Sequence, residues 1–390
     1  MGCYISSNNE RIYVALETSY GVVPAITSAN RIPLVKLGAK QVAEQTSRRD
    51  KTGSRTFPGL PNTIRRKTNY SLNTFMTEWT NQVARPSEGP LFQAAMGGTP
   101  VFYTGGTVAS VTGQTQIAFT APHGLVSGQA VTFSGEMRFV AAIENSTTVF
   151  LNAPFNNIPQ SGSAFGTTVT YFLAQSLPSV SVFDYWDPSG AVQRIIDGAA
   201  VDTMTVKVNG DFQEFDFAGP SMDLIDSASF DSGEGGLSSF PAEPMQTGFD
   251  YTIVPGHLGE VWLGATPAEF FTLTSAELTL ANAVELRDRE FGTEFARCIA
   301  AGQRKVTLNF ELFELVDAQT AALYQAARSR SPISVMFQLG EQTNQLFGAY
   351  MPAMVPAVPE FDDGETRLQW KFSNERAQGT ADDELYIAFG

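Results

Sequence analysis

The stretch Leu91-Phe92-Gln93-Ala94-Ala95 returns 232 positions later as Leu323-Tyr324-Gln325-Ala326-Ala327, and it does not return alone. Arg49-Asp50, Phe57 and Arg66-Lys67 recur at an offset of 238 as Arg287-Asp288, Phe295 and Arg304-Lys305, and Leu72-Asn73 recurs at 236 as Leu308-Asn309. Further on, Pro178-Ser179-Val180-Ser181-Val182-Phe183 resembles Pro332-Ile333-Ser334-Val335-Met336-Phe337 at an offset of only 154. The fall from 232 to 154 means that the first copy carries 78 residues the second lacks. The constant order and slowly drifting offset read as one module used twice, with residues 31–100 echoed by 269–330 and a foreign segment spliced into the first copy. Two similar modules in one chain predict a pseudo-symmetric object rather than an active site.

Strand patterns dominate the rest of the reading. Val306, Leu308, Phe310 and Leu312 alternate with Thr307, Asn309 and Glu311, the period of a half-buried strand. Leu368, Trp370 and Phe372 alternate with polar neighbours in the same way, as do Met204, Val206 and Val208. Asn209-Gly210, ahead of Phe215 and Phe217, is a hairpin signal. One helix per copy is predicted. Asp317 caps a segment with Thr320, Leu323, Tyr324 and Ala327 on one face, while Pro90 opens the other helix and Gly97-Gly98 ends it. The fold class expected is mainly β: two similar sandwich or barrel modules, each with a flanking helix, plus a small all-β insertion. The boundaries predicted are 1–100 with 170–228 for the first module, 101–169 for the insert, a linker at 229–258 and 259–390 for the second module. The insert, with short runs such as Ala130–Phe133 between turns, predicts five or six strands.

The bulk numbers narrow the class. Hydrophobic residues at 43%, with 34 Gly and 21 Pro in 390 residues, fit a folded, loop-rich chain. No run of about 18 apolar residues predicts a membrane span, and no basic start leads into an apolar stretch as a secretory signal does. Cys3 and Cys298 are too few for a disulfide framework or a CxxC metal site, so a reducing, intracellular assembly environment is expected. The net charge is −15, yet seven of the 25 basic residues crowd into one stretch: Arg48, Arg49, Lys51, Arg55, Arg65, Arg66 and Lys67. From 171 to 280 the balance reverses, with sixteen Asp or Glu against Arg194 and Lys207. An acidic protein with one basic loop suits self-complementary stacking. The matching loop of the second copy is mixed in sign: Arg287, Asp288, Arg289 and Glu290. Opposite charges on a neighbouring subunit account for both loops. The alternatives are a nucleic-acid site, against which stands the scarcity of stacking aromatics, and a merely solvated loop.

Catalytic readings find little to stand on. His123 and His257 lie in turn-like contexts with no nucleophile elbow in the chain; the alternatives for them are a metal pair or a general base. Asp223, Asp226, Asp231 and Glu234 offer oxygen ligands, but their spacing does not match an EF-hand loop, and a solvated acidic linker is the plainer reading. Met1-Gly2-Cys3-Tyr4-Ile5-Ser6 formally fits a myristoylation pattern, whose chemistry needs eukaryotic transferases. No phosphate-cradling glycine motif occurs. The chain is expected not to be an enzyme, and no cofactor or metal is expected.

Several segments resemble the major tail tube proteins of long-tailed bacteriophages (siphoviruses). They are Ala15-Leu16-Glu17-Thr18-Ser19-Tyr20-Gly21-Val22-Val23-Pro24, the following Ile32-Pro33-Leu34, the polar loop around 44–62, Gly89-Pro90-Leu91 at a helix entry and Leu368-Gln369-Trp370-Lys371-Phe372. The likeness covers both copies, and the 101–169 segment departs from it, resembling instead the small β domains that decorate some phage tails. The resemblance implies a virion protein, assembled in the bacterial cytoplasm, whose strands join across subunits into a continuous β-barrel. Rings of six modules stack into a hollow tube, so a two-module chain implies a homotrimer. The implied partners are the chain itself, the tape measure, tail terminator and distal tail proteins, and DNA in non-specific transit during ejection, with no membrane anchoring. An acidic lumen would repel DNA phosphates. The long loop would reach the adjacent ring, setting Arg48, Arg49, Lys51 and Arg55 against acidic groups there. A tail-tip or carbohydrate-binding module acting through the insert is the alternative. Removing 103–168 is expected to leave assembly intact, because the second copy lacks any equivalent.

Overall fold

The structure is a computed structural model that describes residues 4–390 apart from 44–50, 52, 58, 60–64, 209–210, 247–248, 250–251, 265–267, 271 and 365. The chain opens with β1 (Glu10–Leu16), β2 (Arg31–Ile32), β3 (Lys36–Ala43), β4 (Arg66–Phe75) and α1 (Gly89–Met96). It continues through β5 (Val101–Tyr103), β6 (Val108–Thr112), β7 (Gln116–Phe119), β8 (Ala130–Phe133), β9 (Glu136–Asn145), β10 (Thr148–Leu151) and β11 (Thr168–Phe172). Next come β12 (Val180–Trp186), β13 (Arg194–Ala199), β14 (Thr203–Val208), β15 (Glu214–Ser221) and β16 (Asp223–Asp226). After a long connection follow β17 (Gly259–Leu263), β18 (Leu273–Ala281), β19 (Glu285–Leu286), β20 (Ile299–Ala300), β21 (Lys305–Phe313) and α2 (Ala318–Ser329). The chain ends with β22 (Ile333–Leu339), β23 (Phe347–Met354), β24 (Glu360–Asp362), β25 (Gln369–Arg376) and β26 (Tyr386–Phe389).

The protein is mainly β. Its backbone is one eight-stranded sheet ordered β24-β25-β21-β18-β14-β15-β4-β3, antiparallel throughout. Both four-strand runs are built alike, with a hairpin strand, its partner, then two strands from earlier in the chain; they meet where β14 pairs with β18. Two further sheets cover its apolar face: β16-β13-β12-β1-β2 and β17-β22-β23-β26-β11-β5. The same order recurs here, since β1-β12-β13-β16 and β17-β22-β23-β26 each pair strands in chain sequence. The predicted alternation is realised: Val306, Leu308, Phe310 and Leu312 are buried on β21, and Trp370 and Phe372 on β25. Leu368 falls before β25 and stays partly exposed. The hairpin β14–β15 forms, but Val206 lies opposite Phe215, so its loop is longer than a two-residue turn; Asn209 and Gly210 lie outside the described residues.

Both helices start as their caps dictate. Asp317 accepts from the Thr320 amide at 2.7 Å, and Thr320, Leu323 and Ala327 face inward. Pro90 stands in the first turn of α1, and Gly97 ends it at φ 89°, where a Cβ would come within 2.6 Å of the Ser176 carbonyl oxygen. On α1 the fully buried Phe92 ring meets Phe215, Phe217 and Phe389 edge-to-face at 5.1–5.2 Å. Phe389 comes from the chain's end, so this aromatic cluster ties early and late elements into one core.

The outward faces of the two covering sheets are themselves covered, by different means. Residues 108–151 form the separate sheet β6-β7-β10-β9-β8 over its own apolar cluster. That unit docks through Ala130, Met137, Phe139 and Ala153 onto Trp262, Met336, Tyr350 and Tyr386. Fully buried Arg138 sits in the joint, 2.6 Å from Glu136 and 3.0 Å from Glu260, between the Phe155 and Trp262 rings. The Gln338 amide closes it from the other side, accepting from the Met137 amide at 2.5 Å and donating to the Gly135 carbonyl at 3.0 Å. Removing this unit would uncover the apolar face formed by Trp262, Met336, Tyr350 and Tyr386. On the other sheet the cover comes from 229–258, read from its Gly and Pro content as a linker. Phe230, Leu237 and Phe240 pack on Tyr13, Phe183, Tyr185 and Ile225, and Glu243 takes the Arg11 guanidinium at 2.6 and 2.8 Å. One sequence match does not hold in space. Phe183 faces this outer cluster whereas Phe337 faces the core, so Pro178–Phe183 and Pro332–Phe337 are out of step by one residue.

Candidate functional site

Among the described residues the eight-stranded sheet does not close on itself, and its two free edges, β3 and β24, are the strongest candidate for a working surface. An unpaired edge presents a row of amides and carbonyls that another strand can match. Around β3, Val35 is 49% exposed, and Lys36 and Lys40 are exposed. Around β24, Phe361 is 53% exposed and stacks on Trp370 at 5.5 Å, next to the exposed Glu360. Beside β24 a groove of about 570 Å³ is lined by Leu315, Val316, Tyr324, Phe361 and Trp370, with Val316 wholly exposed. One edge is thus basic, the other acidic and apolar. Sequence reasoning missed these residues, although Lys36 and Lys40, on one face of a strand, and the run Glu360-Phe361-Asp362-Asp363 were visible signals.

The sheet's outward face is polar, and its charges are largely matched. Lys207 lies 2.9 Å from Asp216 and 3.4 Å from Glu214; the Asp216 hydrogen bond raises its pKa. Lys371 lies 2.6 Å from Asp362, which holds that carboxyl below its usual range. Asn69, Ser71, Asn73, Thr205 and Thr279 fill the gaps. This face carries both signs.

In the basic loop, Arg48 and Arg49 lie outside the described residues, and Lys51 and Arg55 are exposed. The three remaining cations are matched within the chain. Arg65 donates to the Glu290 carbonyl at 3.1 Å, the Arg66 guanidinium lies 4.9 Å over the Phe295 ring, and Lys67 stands 3.5 Å from Asp288. The Arg66 amide also donates to the Glu294 carbonyl at 3.2 Å, and the Arg287 amide to that of Cys298 at 3.0 Å. Arg287, Asp288, Arg289 and Glu290 line a cleft of about 670 Å³ together with Lys67. Arg65, Arg66 and Lys67 thus meet a backbone carbonyl, a ring and a carboxylate, respectively, from residues 288–295 of the same chain.

The other candidates have local duties. His123 Nδ1 accepts from the Leu125 amide at 2.9 Å, and its Nε2 lies 3.0 Å from the Asn145 carbonyl, fixing a turn of the insert. His257 is an exposed turn residue. Asp223 takes the Gln41 amide at 2.7 Å, Asp226 accepts from the Ala228 and Ser229 amides, and Glu234 accepts from the Asp231 amide. No group of three or more His, Cys, Asp or Glu suited to a metal exists among the described residues. Buried Glu17 uses both carboxylate oxygens: Oε1 accepts from Ser181 and the Gly198 amide, Oε2 from Ser179 and the Gly21 amide, all at 2.6–2.8 Å. It pins the Ala15–Pro24 segment to β12 and β13. Asp197 nearby is pushed up to about 8 by burial first, then by Asp223 and Glu17. Among the described residues no helix is long and apolar enough to cross a membrane. No protein-family model matches the chain, and no characterised protein is similar to it in sequence.

Proposed function

We propose that this chain is a structural virion protein that polymerises as stacked rings into a hollow tail tube through which DNA passes. Each chain contributes two tube modules, and three chains close a ring of pseudo-sixfold symmetry. The observation that carries this reading is the long sheet, in which one four-strand order occurs twice in tandem, joined β14 to β18, with both outer edges left open. A tandem arrangement of this kind extends naturally to a further copy, and closure into a ring pairs both edges of this sheet. The two covering sheets and the insert then lie outside, and the polar, charge-matched face lines the bore. Such a lining is hydrated and offers DNA no continuous cationic track, so phosphates slide past without releasing counterions into a tight complex. Lys51 and Arg55 remain available for the adjacent ring, with Arg48 and Arg49 beside them in sequence. Negative-stain microscopy of the purified protein tests the proposal: rings or tubes with a central hole support it, and a monomer at all concentrations and salts refutes it. Charge reversal at Arg48, Arg49 and Lys51 should weaken stacking of rings more than their closure.

A further inference from the structure

The joint inside the chain prescribes the joint between chains. Lys36 lies opposite Asn73 on β4, and Glu277 lies opposite Asn309 on β21, where Leu72-Asn73 and Leu308-Asn309 are the matching pairs. Lys36 and Glu277 therefore hold the same place on their strands. On the other side, Phe215 pairs with Thr74 and Phe372 with Phe310, again 236 positions apart. Val206 faces Phe215, which sets Lys207 level with Glu214, while Glu360 faces Lys371, the residue before Phe372. Lys207 and Glu360 therefore correspond. Within the chain Lys207 stands directly opposite Glu277 across the β14–β18 joint, and Val208 opposite Ala276.

We infer that β24 of one chain pairs antiparallel with β3 of a second copy in the register that sets Glu360 opposite Lys36 and Phe361 opposite Val35. The inference rests on the ring-forming role proposed above and fixes its contact surface. The charge pair of the internal joint is kept with its signs exchanged, lysine on β14 and glutamate on β18 becoming glutamate on β24 and lysine on β3. The next position brings together two apolar side chains that are each about half exposed in the single chain. Opposite charges and apolar pairs directly across a ladder are the contacts that stabilise strand pairing, and like charges there oppose it. A shift by one residue would turn Phe361 toward the wrong face of the sheet. The contact is heterologous, so it propagates from copy to copy until a ring closes. It also brings the second copy against the Leu315–Val316 groove beside β24.

Charge exchange tests it in the full-length protein. K36E and E360K should each raise the concentration needed for assembly by about tenfold or more, since a like-charge pair then faces itself across the ladder. The double variant K36E/E360K should assemble within about threefold of wild type, an interaction a merely additive loss would not give. In a C3S/C298S background, V35C with F361C should form intermolecular disulfides under mild oxidation, because directly opposite residues lie within disulfide reach. V35C with P359C, two positions out of step, should not. Cross-linking by the slipped pair instead, or no rescue by the double variant, overturns the register while leaving ring formation standing. Wild-type protein that never assembles refutes the function proposed above and this inference with it.

Discussion

Replacing Arg138 with alanine should be among the most damaging single changes in the chain. The side chain is fully buried where the insert meets the second half, ion-paired with Glu136 and Glu260 and sandwiched against Phe155 and Trp262. The pair itself adds little net stability, because bringing three charges out of water offsets their attraction. Removing the cation alone is another matter: it leaves two largely buried carboxylates with no counter-charge and only the Asn156 and Asn157 N–H groups as donors, and breaking a buried pair costs about 3–5 kcal/mol. Burial already pushes the Glu260 carboxyl up, with Arg138 as the main opposing influence. In R138A that opposition is gone, so Glu260 gains stability from taking a proton, and the deficit should shrink as pH falls from 7.5 toward 5. E136Q/R138M/E260Q, which removes all three charges, should recover most of the loss. Denaturant unfolding followed by tryptophan fluorescence, with Trp262 in the joint as reporter, reads the difference. A loss below about 1 kcal/mol at pH 7.5, or one that grows on acidification, would refute the claim that this cluster holds the insert in place.

Three further outcomes follow from the same structure. Asp197, pushed up to about 8 by burial and by Asp223 and Glu17, and Glu88, pushed up to about 7 by burial, keep protons that the unfolded chain releases near its ordinary carboxyl values. Their contribution is therefore fully favourable only below about pH 4 and erodes as pH climbs toward 8, so D197N should flatten the stability–pH curve and exceed wild type at pH 8.5. Excising 104–167 should give a protein that aggregates or binds ANS, because Trp262, Met336, Tyr350 and Tyr386 lose a cover worth about 1.5–3 kcal/mol per large apolar side chain. D317A should cost about 1 kcal/mol, read by thermal or urea denaturation, through loss of the cap on Thr320.

Much of this architecture was legible because its causes are local. Asp317 and Pro90 announce helices through hydrogen bonds and dihedral limits that act within one turn, and Val306–Leu312 announces a strand through a two-residue period. What escaped reading depends on partners far away in sequence. Arg65 and Lys67 find theirs more than 200 positions on, and nothing in the basic run distinguishes an internal partner from an external one. Strand β9 buries both faces from Glu136 to Val140, so alternation is lost where the insert docks. The stretch 229–258 carries linker-like Gly and Pro yet packs Phe230, Leu237 and Phe240 against a sheet; those spaced aromatics were its only signal. The edge residues Val35 and Phe361 stand out only once the strand order places them at the sheet's outer edges, about half exposed.

Whether the open sheet completes itself with further copies is decided most directly by a cryo-electron-microscopy reconstruction of the purified protein at high concentration. The predicted result is a threefold ring whose inner wall is one uninterrupted antiparallel barrel, with three eight-stranded sheets joined β24 to β3. Particles that remain single chains, or pairs related by a twofold axis with either edge still uncovered, would contradict it.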